Sequence, residues 1–351
     1  MYISIIGSPG CGKTTLFRAL SGAPADGKPG SETIAVIDVP DNRIDELSRI
    51  YKPRKSIYSR ITLADTTAIE GGDMKGDKVS AKTIQQMRQS DAFLLVLRKF
   101  DNGNPVSLKE DFLTMFQEFI ISDMVQIESR LERIRKQAVR KENTALAREE
   151  QALDECLAHL SREEPLFTAR VFESDGKQLN NFQFLSAKPM MVVINYSEEE
   201  FSGADESVVD LKKTIPSHIP VLAACGKLEA EVALMSPEDQ ESFMREYGIT
   251  ESVRGRIVRL ASETLGLISF LTVGQDECRA WPVKVGSTAQ DAAAAIHTDL
   301  AQKFIRAETV SYDDFISSGG MAECKKKGLW RLEGKTYIVQ DGDILSIRAG
   351  N

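Results

Sequence analysis

Two textures alternate along this chain. Short continuous apolar runs at 2–6, 34–39, 61–63, 92–97 (AFLLVL), 190–194 (MMVVI) and 221–224 are separated by stretches with apolar residues at helical spacing. Runs that are apolar on both faces suit strands buried in a parallel sheet. The alternation predicts an α/β domain with a mostly parallel sheet. It breaks between 108 and 170, where the chain is charged and almost free of Gly and Pro. There Ile127, Leu131, Ile134 and Ala138 form one apolar stripe, and Leu146, Leu153, Leu157 and Leu160 a second, with the polar run KENTA (141–145) between them. The pattern predicts two antiparallel helices in a coiled-coil hairpin; one long exposed helix is the alternative. Residues 230–265 read as helical and acidic. Beyond Gly266 come short β-like runs at 268–273, 280–285, 305–311, 337–340 and 344–348, one helix at 289–296 with Thr288 as its N-cap, and a tight-turn signal at Asp341-Gly342. The expected organisation is an α/β domain at 1–107 and 171–265, a helical insertion at 108–170, and a small mixed module at 266–351.

The first strand runs into GSPGCGKTT. Gly7-x-x-x-x-Gly12-Lys13-Thr14 has the spacing of a phosphate loop between a strand and a helix. Glycines let successive N–H groups turn inward on a phosphate chain, Lys13 would reach the β- and γ-phosphates, and the Thr14 hydroxyl would sit on Mg²⁺. Asp65, after the 61–63 strand, is the expected carboxylate for the Mg²⁺ shell. VVINYSEEE places Asn195, Tyr196 and Glu198 just past a buried strand. GTPases use Asn-Lys-x-Asp there, and the Asp pairs with guanine N1 and N2. Glu in place of Asp, and Tyr in place of Lys, compromises the chemistry that selects guanine.

Composition narrows the class. The net charge of −8 over 351 residues argues against a chain that coats nucleic acid indiscriminately. Cys11, Cys156, Cys225, Cys278 and Cys324 contain no C-x-x-C pair, so reduced thiols are expected and a zinc or disulfide framework is not. No basic-then-apolar leader and no membrane-length apolar run is legible, so a cytoplasmic protein with no membrane role is expected. His297 reads as structural, and Cys11 as a small residue that fits its loop, although nearby amides could lower its pKa. The basic residues Arg130, Arg133, Arg135, Lys136, Arg140 and Lys141 cluster on the hairpin, either to meet rRNA phosphates or to form ion pairs along the helices. Lys325, Lys326 and Lys327 admit the same two readings.

Taken together, these motifs resemble the Obg-like ATPases of the YchF subfamily, a branch of the P-loop GTPase superfamily. The resemblance rests on GSPGCGKTTLFRAL, VPDNRIDEL, the 84–101 region, NYSE, KLEAE and LGLISFLTVGQDECRAW. The ends AAAAIHTDLAQKFIRAETVSYDDF and GLWRLEGKTYIVQDGDIL carry it most specifically. It implies a G domain with a helical insertion, a C-terminal β-grasp (TGS) domain, ATP preference through Asn195 and Glu198, and association with ribosomes through hairpin and TGS domain. Sequence-specific DNA binding is not expected. The implied nucleotide site comprises Ser8, Pro9, Gly10, Cys11, Gly12, Lys13, Thr14, Thr15, Asn195, Tyr196, Glu198, Ala224, Cys225 and Gly226. Lys13, Thr14 and Asp65 would carry catalysis; Thr14, Asp65 and a switch threonine, Thr33 (or Ser31), would face Mg²⁺.

The chain also departs from the family. Gly10 replaces the usual phosphate-loop Asn, Ala68 stands at a γ-phosphate-sensing Gly, and GGDMKGDKVS (71–80) replaces a glycine-rich switch. Ile69 follows where Ras-like enzymes place a water-orienting Gln. Slow ATP hydrolysis is the expectation. A non-hydrolysing nucleotide sensor, a GTPase and a small-molecule kinase are the alternatives.

Overall fold

The computed structural model describes residues 1–22, 33–69, 72–73, 81–103, 105–138, 144–172, 178–201, 204–246 and 252–350. In chain order its strands and α-helices are β1 (Tyr2–Ile6), α1 (Lys13–Ser21), β2 (Thr33–Val39), α2 (Asn42–Tyr51), β3 (Lys55–Ile57), β4 (Ser59–Asp65), α3 (Ala81–Gln89) and β5 (Ala92–Lys99). There follow α4 (Leu108–Ala138), α5 (Thr144–Leu160), β6 (Met190–Tyr196), α6 (Ala204–Lys212), β7 (Val221–Ala224), α7 (Gly226–Val232), α8 (Pro237–Glu246) and α9 (Val253–Thr264). The C-terminal part holds β8 (Leu267–Val273), β9 (Glu277–Lys284), α10 (Ala289–Ile296), α11 (Thr298–Gln302), β10 (Phe304–Ser311), α12 (Tyr312–Ser318), α13 (Met321–Lys326), β11 (Arg331–Glu333) and β12 (Asp343–Ala349). The chain divides into two compact units, 1–36 with 62–254 and 37–61 with 255–351.

The first unit is built on a sheet of order β2-β4-β1-β5-β6-β7, in which β4, β1, β5, β6 and β7 are parallel neighbours. The α/β expectation holds, and the reason is visible: β5 is buried over seven of its eight residues and β6 over its whole length. A parallel sheet brings the C-terminal ends of its strands to one edge, where ligands of α/β proteins gather. Here that edge carries Gly7 after β1, Asp65 ending β4, Lys99 ending β5, Asn195 near the end of β6 and Ala224 ending β7.

The insertion is two helices, α4 and α5, as the stripes require, not one. Ile127, Leu131, Ile134, Leu153, Cys156 and Leu160 are buried in one shared core. KENTA lies partly outside the described residues, and Thr144 already opens α5. The middle of α4 is fixed by a buried ion pair. Arg88 of α3 donates to Asp123 at 3.0 Å, and Asp123 also accepts from Leu185 N, Ser186 N and Ser186 Oγ. A buried carboxylate is tolerated only with this many partners.

The second unit holds the β-grasp module, with β10-β12-β8-β9 as its central strands and α10 packed beside them. Thr288 caps α10 in a capping box with Asp291, as its position foretold. Two expectations need correcting. Residues 337–340 are not a strand: Tyr337 Oη and Gln340 N both donate to Asp343 Oδ2, and only an isolated bridge joins Ile338 to Thr288. The backbone of this stretch is taken up by the 287–289 turn, with Val339 N donating to Ser287 O at 3.0 Å and Ala289 N to Tyr337 O at 2.8 Å, and the strands missed in this sheet are β3 and β11. Residues 37–61, expected with the phosphate-loop domain, belong to this unit. Ile44 and Leu47 are buried in its core, Arg43 pairs with Asp341 at 2.8 Å, and Tyr312 hydrogen-bonds Glu46. Among the described residues no helix is long and apolar enough to cross a membrane, and all five cysteines are buried and free.

Candidate functional site

The loop between β1 and α1 takes its shape from its glycines. Gly12 has φ +93°, and a Cβ there would lie 2.0 Å from Asn195 Nδ2. At Gly7 a Cβ would meet the Val96 carbonyl oxygen at 2.6 Å and Cys11 Sγ at 2.8 Å. Only glycine fits either close approach. Lys13 is 7% exposed, and its Nζ donates to the carbonyls of Gly7 and Ser8, each at 2.9 Å. Helix α1 starts here, so its free N–H groups and positive end face the loop, the standard provision for an anion. Pro9 and Gly10 are exposed on the rim, Ser8 and Thr15 half-buried, and Cys11 fully buried beneath. Burial pushes the Cys11 thiol up, against the pull of Lys13, so the expectation that loop amides could activate it is corrected: it is a packing residue.

Thr14 and Asp65 meet as the motif reading required. Thr14 Oγ1 donates to Asp65 Oδ2 at 2.6 Å, while Asp65 Oδ1 is buried with no hydrogen-bond partner. A hydroxyl and a carboxylate oxygen in need of a partner are the hard donors Mg²⁺ takes, so these two residues fit the ion. Thr33 opens β2, which β4 separates from β1, and it is outside the Thr14–Asp65 pair. Ser31 and most of 71–80 lie outside the described residues. Past Asp65 the chain folds back on the loop: Thr66 bonds Ile5 O, and Ile69 N donates to Gly7 O at 3.2 Å. Ile69 is 1% exposed in the sheet core, so neither its side chain nor its N–H serves the phosphate.

At the other end Asn195 is a brace. Its Nδ2 donates to Cys11 O at 3.0 Å, and its Oδ1 accepts from Gly226 N at 2.9 Å. The side chain, 4% exposed, thereby locks the phosphate loop to the turn between β7 and α7. Beside it opens a cavity of about 520 Å³ lined by Gly12, Thr15, Phe100, Asp101, residues 195–200 and Lys227. Glu198 Oε1 pairs there with Lys227 at 3.0 Å. Tyr196 reaches the cavity wall but is 3% exposed, turned into the core against Phe201. Ala224 and Cys225 are buried, and burial raises the Cys225 thiol; their contribution is the turn that presents Gly226. Sequence reasoning did not assign Phe100, Asp101 or Lys227 to the site. The position of Lys227 directly after the strand-end turn AACG was the available signal. His297 accepts from Asp299 N as the cap of α11, a structural role.

On the hairpin Arg130 pairs with Glu149, Arg135 with Glu150 and Asp154, and Lys136 with Glu132. The ion-pair reading therefore accounts for three of the six basic residues. Arg140 and Lys141 lie outside the described residues.

The family model described as 50S ribosome-binding GTPase matches residues 2–127, and YchF-GTPase_C, described as a protein of unknown function, matches 267–350. The chain is 34% identical to the "Ribosome-binding ATPase YchF" of Bacillus subtilis (strain 168) over 98% of both chains. It is 31% identical to the protein of that name from Escherichia coli O157:H7, over 97% of each. A solved structure, "Structure of the Schizosaccharomyces pombe YchF GTPase", superposes with a TM-score of 0.83 at 25% identity, covering 99% of this chain and 97% of that one.

Proposed function

The chain belongs to the YchF family, and from that premise we propose that it is a Mg²⁺-dependent switch that binds ATP in preference to GTP, hydrolyses it slowly and acts at the ribosome in the cytoplasm. The observation that carries the base preference is the Glu198–Lys227 pair at the cavity mouth. Guanine presents two donors, N1–H and N2–H, and an Asp with both oxygens open satisfies them. Glu198 has one oxygen engaged by Lys227, which competes with two-pronged acceptance from guanine and leaves the other oxygen for the single N6 amino group of adenine. The phosphates would take the loop amides and the positive end of α1, with Lys13 moving from the Gly7 and Ser8 carbonyls onto their oxygens. Thr14 and Asp65 would hold Mg²⁺, which neutralises charge on the triphosphate when bound. Asn195 keeps the two ends in register.

The ribosome is proposed from the names of the relatives and of the matching family model. The exposed face of the hairpin and the second unit are the proposed contact surfaces. Calorimetric titration of ATP and GTP with Mg²⁺ tests the base preference: tighter ATP binding is expected, and tighter GTP binding removes it. Single-turnover hydrolysis with and without ribosomes tests the switch.

A further inference from the structure

Behind the outer rim of the phosphate loop lies a second cavity of about 330 Å³. Its walls are Ser8 and Pro9 of the loop, Ile69, the end of β5 and one face of α4. It abuts the loop closely: a Cβ at Gly10 would stand 3.0 Å from Asn102 Nδ2, and Asn102 is itself in the cavity wall. Ser8 and Pro9 of the phosphate loop form one wall of the cavity, so water in it would border a phosphate chain held by that loop.

Ile69 offers this space nothing polar, yet α4 does. Asp111, Thr114 and Glu118 line it, at the i, i+3, i+7 spacing of one helical face. The neighbouring Phe112, Phe116 and Phe119 are all buried in the sheet core, so this polar stripe is a local exception. Its two carboxylates are not equivalent. Glu118 is 3% exposed and accepts from Gly72 N at 2.6 Å. Asp111 is half-buried, and its carboxylate accepts no hydrogen bond from any described residue.

We infer that Asp111 is the catalytic base of hydrolysis, replacing from α4 the group that position 69 lacks. The inference rests on the hydrolysis proposed above. Water in the cavity attacks the γ-phosphorus, and a new P–O bond forms. The bond from that phosphorus to the β–γ bridging oxygen breaks, its electron pair leaving with ADP. The water proton passes to the Asp111 carboxylate and then to solvent. Desolvation raises the Asp111 pKa and Glu110 adds to the rise, while Arg98 opposes it, a direction that strengthens a base. The charged and titratable groups around it are Arg98 of β5, the Cys11 thiol of the loop, and Glu110 and Glu118 of α4. Arg98 donates to Phe100 O at 2.6 Å and Pro105 O at 2.9 Å, which holds the loop leading into α4 against the site.

The test is single-turnover ATP hydrolysis by the full-length chain and by Asp111→Asn, with ATP affinity measured for both. The Asn variant keeps shape and loses basicity. The expected result is a rate lower by about 10²–10⁴ with affinity unchanged. The wild-type rate should also fall with falling pH, and the variant should lose that dependence. Asp111→Glu keeps a carboxylate and should recover part of the rate and the pH dependence. An undiminished rate in Asp111→Asn, or a reduced rate with the wild-type pH profile, overturns the assignment while hydrolysis stands. Absence of turnover in the wild-type chain overturns both.

Discussion

At the proposed phosphate end of the crevice, Gly7, Gly12, Lys13 and Thr14 lie within eight consecutive positions. At the proposed base end, Phe100, Asn195, Glu198 and Lys227 come from three strand ends far apart in the chain. The first end is tightly packed, its lysine 7% exposed and Gly7 and Gly12 pressed against neighbouring atoms. The second is open, with the Glu198 and Lys227 side chains 45% and 72% exposed. A contiguous loop tied to one strand can be sterically exact, because few degrees of freedom separate its groups. A site gathered from separate strand ends depends on the sheet for its register and tolerates exchange of its exposed pair. Changes at the phosphate end should therefore be severe and indifferent to the base, and changes at the base end mild and base-specific.

Gly12→Ala should break the first region most. Its Cβ would meet Asn195 and its backbone would be left-handed, a strain of about 1–2 kcal/mol before the clash. Thermal unfolding should show a clear loss of stability, and titration no detectable ATP or GTP binding. Lys13→Ala should weaken both nucleotides by about 100-fold or more while the melting temperature stays near wild type, since a charge-assisted contact to phosphate is lost and no core packing is. Retained affinity in a folded variant would sink the phosphate-loop assignment.

Asn195→Ala probes the joint between the regions. Cys11 O and Gly226 N would lose their partner, at a cost of about 1–3 kcal/mol, and affinity for both nucleotides should fall together. A selective loss of one nucleotide would mean that Asn195 reads the base instead of bracing the loop. Lys227→Ala should be milder, because water and salt screen an exposed pair. By freeing the second Glu198 oxygen it should narrow the ATP:GTP affinity ratio by up to about tenfold. A lysine at position 196 is a poor route to the same end, because Tyr196 is 3% exposed and the ammonium would be buried.

The hairpin allows the smallest test. Arg135 is committed to Glu150 and Asp154, whereas exposed Arg133 is outside those pairs. In co-sedimentation with ribosomes across a salt series, Arg133→Gln should shrink the log–log slope by about 0.7–0.9, and Arg135→Gln should leave it unchanged. Identical slopes for wild type and Arg133→Gln would remove that residue from the contact.

The legible parts of this molecule share one property. The strands of the first sheet, the two helical stripes, the Thr288 cap and the phosphate loop are each specified by neighbours within a few residues, through period, capping or glycine placement. The Thr14–Asp65 meeting was legible as well, because a phosphate loop after one strand and a carboxylate after its neighbour converge at the sheet edge. What escaped was non-local. The 37–61 segment is held in the second unit by Arg43 to Asp341 and Glu46 to Tyr312. Residues 337–340 alternate like a strand but bond the 287–289 turn some fifty residues away.

By itself, then, the sequence determined that this chain has a phosphate-binding α/β domain, an inserted helical hairpin and a small C-terminal module, because each follows from short-range periodicity and backbone chemistry. Only the tertiary structure decided that Asn195 is a brace, that Lys227 engages Glu198, and that Asp111 borders the space behind the loop. Those facts depend on which strand ends the parallel register brings to one edge and which face of α4 turns toward them. Side-chain partners across such distances are chosen by packing geometry, which no local pattern encodes.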